Sequence, residues 1–177
     1  MQDFRTLWDS ALTFDAFLAA TDKHKGLWEG LYRIARLPEW AIASVPRDAG
    51  LKLLVIAEDW CGDASSTVPL LARLAAEAPG LELRIILRDQ NPEVMDRYLT
   101  NGSRSIPIVI VLDEQFNELG HWGPRPRELQ AWVMEHRLTT PKAELYPQVR
   151  QWYARDRGET TLREVLAAGG LPVVKAA

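Results

Sequence analysis

The chain has 177 residues, 47% hydrophobic and 25% charged, which suits one soluble globular domain with additions. Its net charge of −3 leaves no basic footprint for nucleic acid or an anionic membrane surface, and no apolar run approaches the roughly 20 residues of a membrane span. A single cysteine cannot close an internal disulfide, which favours a reducing, cytoplasmic setting, and Met1-Gln2-Asp3-Phe4-Arg5 lacks the basic-then-apolar build of a signal peptide.

Residues 1 to about 45 read as helical. Leu7, Ala11, Phe14 and Leu18 recur at helical spacing, with Thr13 able to cap a fresh turn. Leu27, Leu31 and Ile34 repeat that spacing beside a second stripe of Trp28, Tyr32 and Ala35. The aromatic stripe reads as core packed on a sheet, the lesser reading being a ligand groove. Pro38 can open a short helix holding Trp40 and Ile42. Val45-Pro46-Arg47-Asp48-Ala49-Gly50 is a turn-rich boundary.

Leu51 to Ala57 is apolar apart from Lys52, which predicts a strand covered on both faces. A helix follows from about Ala64 to Ala78 and ends at Pro79-Gly80; Leu81 to Leu87 is the second strand. Asn91-Pro92-Glu93 opens another helix, with Asn91 as its cap and Val94, Met95, Tyr98 and Leu99 as its apolar residues, and Asn101-Gly102 ends it. Ile108 to Leu112 and about Glu118 to Trp122 form an antiparallel hairpin. Pro124 to Arg137 is a helix whose inner face carries Leu129, Trp132, Val133 and His136. After Pro141, Leu145, Val149 and Trp152 share a helical face; Gly158 breaks it, Thr160 or Thr161 can cap a last helix with Leu162, Val165 and Leu166, and Gly169-Gly170 ends that. The tail after Pro172 is expected to fray.

Between the first long strand and the first long helix lies Glu58-Asp59-Trp60-Cys61-Gly62-Asp63-Ala64. A strand turning into a helix through a glycine is half of a βαβ unit. Cys61, the one cysteine, falls where the helix begins, and free N–H groups there stabilise a thiolate. Asp63, two residues on, opposes this by like charge, as would Glu58 and Asp59 if they faced the sulfur. The competing reading of Cys61 is a buried, inert filler.

Trp60-Cys61-Gly62, with Pro69 farther along the same helix, Ser105-Ile106-Pro107 ahead of an apolar strand, and Gly123 in His121-Trp122-Gly123-Pro124, form an ordered set. Pro107 lies 46 residues after Cys61, and Gly123 lies 16 after Pro107. From roughly Leu51 to Arg137 this set resembles the thioredoxin family. The resemblance implies a three-layer α/β/α fold with a central mixed sheet. Residues 46–138 would be its core, with helical extensions at 1–45 and 139–177, one structural domain in all. It further implies a cis Pro107 against the active-site sulfur, with Ile106 offering its backbone to an extended peptide or to glutathione. Trp60 would cover one side and Gly123 would sit in the loop beside the proline. The sequence departs from the family at three places. Ala64 replaces the resolving cysteine, Asp63 replaces a proline, and Val55 stands where many members bury an aspartate.

Arg125 and Arg127 follow the Gly123 loop; they could fix a carboxylate of glutathione or of an acidic peptide, the plainer reading being solvated charge. His121 could reach the sulfur from its strand end, His24 reads as solvated and His136 as partly buried. No Cys-x-x-Cys or His-x-x-x-His pair supports a metal site. The sequence therefore points to a monothiol redox protein in which Cys61 exchanges with protein disulfides or glutathione mixed disulfides and an external thiol resolves. Glutathione would be a co-substrate, and no resident cofactor is expected. The alternative is a non-catalytic thioredoxin-fold module that holds an extended peptide beside Pro107. Either would act as a monomer or a homodimer, without nucleic acid or membrane.

Overall fold

A strand that is apolar on both of its faces has to be sandwiched, and Leu51–Ala57 is such a strand. The computed structural model describes residues 3–173. In chain order these form α1 (Phe4–Ser10), β1 (Leu12–Thr13), α2 (Phe14–Ala20), α3 (Lys25–Ile34), α4 (Glu39–Ala43), β2 (Leu51–Ala57) and α5 (Gly62–Glu77). There follow β3 (Leu81–Leu87), α6 (Pro92–Met95), β4 (Ile108–Leu112), β5 (Glu118–Trp122), α7 (Arg127–His136), α8 (Lys142–Asp156) and α9 (Glu159–Ala168). The sheet order is β1-β3-β2-β4-β5. β2 runs parallel to β3 and antiparallel to β4, and β4 pairs antiparallel with β5, so the sheet is mixed. Every residue of β2 and β4 is buried, so helices cover both faces. A fully buried Leu or Ile contributes about 1.5–3 kcal/mol. The densest run of such residues therefore takes the middle of the sheet.

The chain segments on either side join the same core. Leu7, Trp8, Phe14, Phe17, Trp28 and Trp40 pack in one cluster with β2 and β4, and so do Leu162, Val165 and Leu166 of α9. α8 packs instead on α7, in a smaller cluster of Leu129, Val133, Leu145, Val149 and Tyr153. Glu164 of α9 accepts from Trp122 Nε1 at 2.7 Å and from the Arg127 backbone N–H at 3.1 Å. Gly120 of β5 faces the carbonyl of Ala168 so closely that a Cβ could not fit.

Several local expectations are corrected. The amino-terminal region is not wholly helical. Leu12 and Thr13 form β1, pairing antiparallel with Ile85 and Arg84, a strand too short to show any alternation in the sequence. Thr13 does cap α2, accepting from the Ala16 N–H. Of the two stripes on α3, the one carrying Trp28 faces inward, leaving Leu27 45% and Ile34 61% exposed. The larger aromatic surface takes the buried face. Asn91 holds the cap position of α6 as expected, but its side chain makes no capping bond there; its amide donates to Leu87 O at 2.8 Å. α6 is one turn continued as a 3₁₀ turn, Asp96–Tyr98, which leaves Leu99 exposed. α7 starts at Arg127 rather than Pro124, with Pro126 at its cap position; the Gly123–Pro124 bond is cis. On α8 Tyr153, rather than Trp152, completes the buried face. Gly158, in the left-handed region at φ 80°, occupies the cap position of α9; neither Thr160 nor Thr161 does. Thr161 is buried, and its hydroxyl has no hydrogen-bond partner among the described residues. The expected fraying after Pro172 falls mostly on residues 174–177, outside the described residues.

Trp28 ties α3 to the turn after β2, its indole N–H donating to Asp59 O at 3.0 Å from a fully buried position. Trp28→Phe removes this bond and part of the buried ring. It should lower unfolding free energy by about 2–4 kcal/mol in a urea titration, whereas Leu27→Ala on the exposed stripe should cost under about 1 kcal/mol.

Candidate functional site

The carboxyl end of β2 delivers the turn to the middle of the sheet, and the turn places Cys61 at the cap position of α5. The Cys61 sulfur accepts from the Ala64 N–H at 3.4 Å, and the Cys61 carbonyl starts the helix by accepting from Ser65 N at 2.9 Å. Cysteine thus fills the place that Ser, Thr or Asp usually fill at a helix start. On its other side the thiol donates to the carbonyl of Ile106 at 3.4 Å. The Ile106–Pro107 bond is cis. Gly123 lies against this proline with φ 128°, and a Cβ there would strike Pro107 O, so glycine is needed on both counts. Cys61, Ile106, Pro107 and Gly123 are therefore brought together in space.

The thiol is not open to solvent. Cys61 is 7% exposed. Burial pushes its pKa from the ordinary 9.0 up to about 11; the Ala64 N–H pulls the other way, and the Asp63 carboxylate adds to the rise. The helix-terminus argument from sequence is outweighed here by desolvation, because the sulfur sits under the Ile106 loop. Glu58 and Asp59 do not face it. Glu58 is buried and accepts from the Asp89 N–H at 2.9 Å, and burial raises its own pKa against that bond. Asp59 accepts from the backbone N–H groups of Asp22 and Lys23.

Asp63 carries the largest departure from expectation. Its carboxylate is buried, and Arg125 grips it with two arms, Nε to Oδ1 at 2.9 Å and Nη2 to Oδ2 at 2.6 Å. Tyr153 of α8 donates its hydroxyl to the same Oδ1 at 2.9 Å. Burial and the Asp63 charge hold the Tyr153 phenol well above its usual range. The third arm of Arg125, Nη1, donates to Gln130 Oε1 at 2.9 Å. Arg125 is therefore neither a solvated charge nor free for a ligand carboxylate, because its fork is filled from within the protein. Arg127 is exposed, and its backbone N–H is held by Glu164.

Trp60 is 39% exposed, with the Arg88 guanidinium 4.8 Å above its ring; Arg88 also donates to Arg104 O, just ahead of the Ile106 loop. His121 stays away from the sulfur. It is exposed, its Nδ1 lies 3.0 Å from Glu118, and its ring meets Tyr98 edge-on. His24 is exposed, and His136 lies over Trp132. Among the described residues no group of three or more His, Cys, Asp or Glu could hold a metal ion. Ala64 is buried where a resolving thiol would stand, and Val55 is fully buried in β2. Sequence reasoning missed Tyr153. Its spacing from Leu145 and Val149 marks it as inward-facing, but nothing in the sequence names its partner 90 residues away.

Arg125→Ala would strand the buried Asp63 carboxylate, at a cost of about 3–5 kcal/mol in denaturant unfolding. Adding Asp63→Ala should restore part of that loss, and Tyr153→Phe alone should cost about 1.5–3 kcal/mol. The Cys61 thiol loses its proton near 9.0 when unfolded and near about 11 when folded. Stability relative to Cys61→Ala should therefore fall as pH rises across that window, because the unfolded state ionises first.

The family model described as Thioredoxin matches residues 11–142. No curated protein matches. A crystal structure of a protein of unknown function, PA1234 from Pseudomonas aeruginosa, is similar with 25% identity and a TM-score of 0.77, over 95% of this chain and 97% of that one. An HIV epitope-scaffold shares the fold at 24% identity and a TM-score of 0.74, over 94% of this chain and 97% of its own. With the family model spanning well over half its length, and a cis-proline loop closing over the lone cysteine at a helix start, this chain belongs to the thioredoxin-like family.

Proposed function

We propose that the protein acts as a monothiol thioredoxin-fold protein, with Cys61 exchanging with a protein disulfide or a glutathione mixed disulfide. The observation that carries this reading is the sulfur itself, at the cap of α5 and 3.4 Å from the carbonyl that precedes the cis proline. A docked disulfide would displace the Ile106 carbonyl as the thiol's partner. The Cys61 thiolate would then form a bond to one sulfur, and the other would leave as a thiolate and take up a proton. No second cysteine exists to release the product, so an external thiol such as glutathione attacks the mixed disulfide and returns Cys61 as a thiol. A reducing compartment suits this cycle.

The environment of the thiol sets the tempo. With a pKa of about 11, few molecules carry a thiolate at neutral pH. Each one that forms is strongly nucleophilic, since intrinsic reactivity rises with pKa. The same high pKa makes Cys61 a poor leaving group, which favours long-lived mixed disulfides over rapid turnover.

One observation favours a second reading, a binding module that holds an extended peptide beside Pro107 with Cys61 as a silent hydrogen-bond donor. That observation is the burial of the thiol beneath the Ile106 carbonyl. Oxidised glutathione offered to the native protein decides between the two. On the exchange reading a glutathione adduct forms on Cys61, detected by intact mass. It is lost on adding a dithiol and absent from Cys61→Ser. Its rate should climb about tenfold per pH unit from 7 to 10, with no plateau below about 11. No adduct on the native protein under conditions that label the unfolded chain would leave the binding module standing and remove the exchange reading.

A further inference from the structure

A cavity of about 310 Å³ opens between the loop at residues 100–105, the last turns of α7 and the first turns of α8. Its volume lies at the lower end of what small-molecule sites occupy, about 300–1,000 Å³. Val133, Met134 and Leu145 give it an apolar wall, and Leu138, 85% exposed, and Tyr146 form a greasy rim.

The polar side of the cavity has one sign. Arg125, Arg137 and Lys142 line it, and no Asp or Glu does. The charge of Arg125 is already matched by Asp63. Arg137 and Lys142 take part in none of the ion pairs among the described residues. Lys142 is also the first residue of α8, so the partly positive end of a 15-residue helix borders the same space. Thr100, Ser103 and Ser105 add hydroxyls that can donate to an oxyanion. Two uncompensated cations, a set of hydroxyls and an apolar wall in one hollow form a site for a molecule with a negative head and an apolar body.

We propose that this cavity binds a small amphipathic organic anion, with a carboxylate or phosphate head held by Arg137 and Lys142 and an apolar body laid on Val133, Leu138 and Tyr146. The site is separate from the thiol and does not depend on exchange at Cys61. Its walls come from α7 and α8 together with the chain leading into Ile106, so it exists only because α8 follows α7 in this chain.

The test is a titration of isotope-labelled protein followed by amide chemical shifts, with 4-phenylbutyrate and phenyl phosphate as probes and 4-phenyl-1-butanol as the uncharged match. At least one anion should give saturable shifts confined to residues 100–105 and 133–146, and which one does so separates carboxylate from phosphate. The alcohol should bind at least about tenfold more weakly, and the double variant Arg137→Gln with Lys142→Gln should weaken the anion by a similar factor, the loss of one good charge-assisted contact. Both residues sit at the surface, and unchanged amide dispersion confirms that the double variant folds. No saturable shift from either anion, equal binding of the alcohol, or undiminished binding by the double variant would overturn the proposal. The titration needs no thiol and is run equally on Cys61→Ser, so failure of the exchange chemistry leaves its outcome intact.

Discussion

A carboxylate buried two residues from a thiol has to be neutralised, and much of this molecule is arranged around doing so. Asp63 stands in the first turn of α5, where an acid is favoured by the helix dipole, but burial removes the water that would solvate it. Arg125 supplies a two-armed counter-charge from the loop after β5, and Tyr153 supplies a hydroxyl from α8. The pair thus pins three parts of the chain that are far apart in sequence. Tyr153, which donates to this acid, lies beyond residues 11–142, the stretch the family model matches.

The same arrangement governs the thiol. Asp63 raises the Cys61 pKa and Arg125 lowers it, so much of the local charge cancels and burial under the Ile106 carbonyl is left as the leading influence. A helix terminus alone would favour the thiolate; here the thiol keeps its proton and spends it on a carbonyl.

The fold was legible because its strongest signals are local. β2, β3 and the β4–β5 hairpin lie where apolar runs and turn residues put them, since a strand buried on both faces leaves an uninterrupted apolar stretch. Pro107 and Gly123 could be placed beside Cys61 only through their resemblance to the thioredoxin family. What escaped was long-range and polar. No pattern announces that Arg125 turns inward to Asp63, that Glu58 turns to Asp89, or that Tyr153 closes the cluster, because each is settled by which elements meet in space. The burial of the thiol, one of two readings open from sequence, is decided in the same way: the helix start is written in the sequence, and the loop that covers it is not. β1 escaped by being two residues long.

That brevity bears on how the molecule behaves in a crowd. A sheet ending in a long flat strand offers its unpaired amides as a template for another chain. Here the outermost strand on the β3 side is only Leu12–Thr13; α1 ends just before it and α2 begins just after it. Arg84, beside it, reaches to Trp8 O at 2.9 Å and lies over the Trp8 ring, fastening α1 across that margin. A second molecule arriving there finds room for scarcely one rung of a ladder, so the margin guards against templated, amyloid-like growth from this side of the sheet.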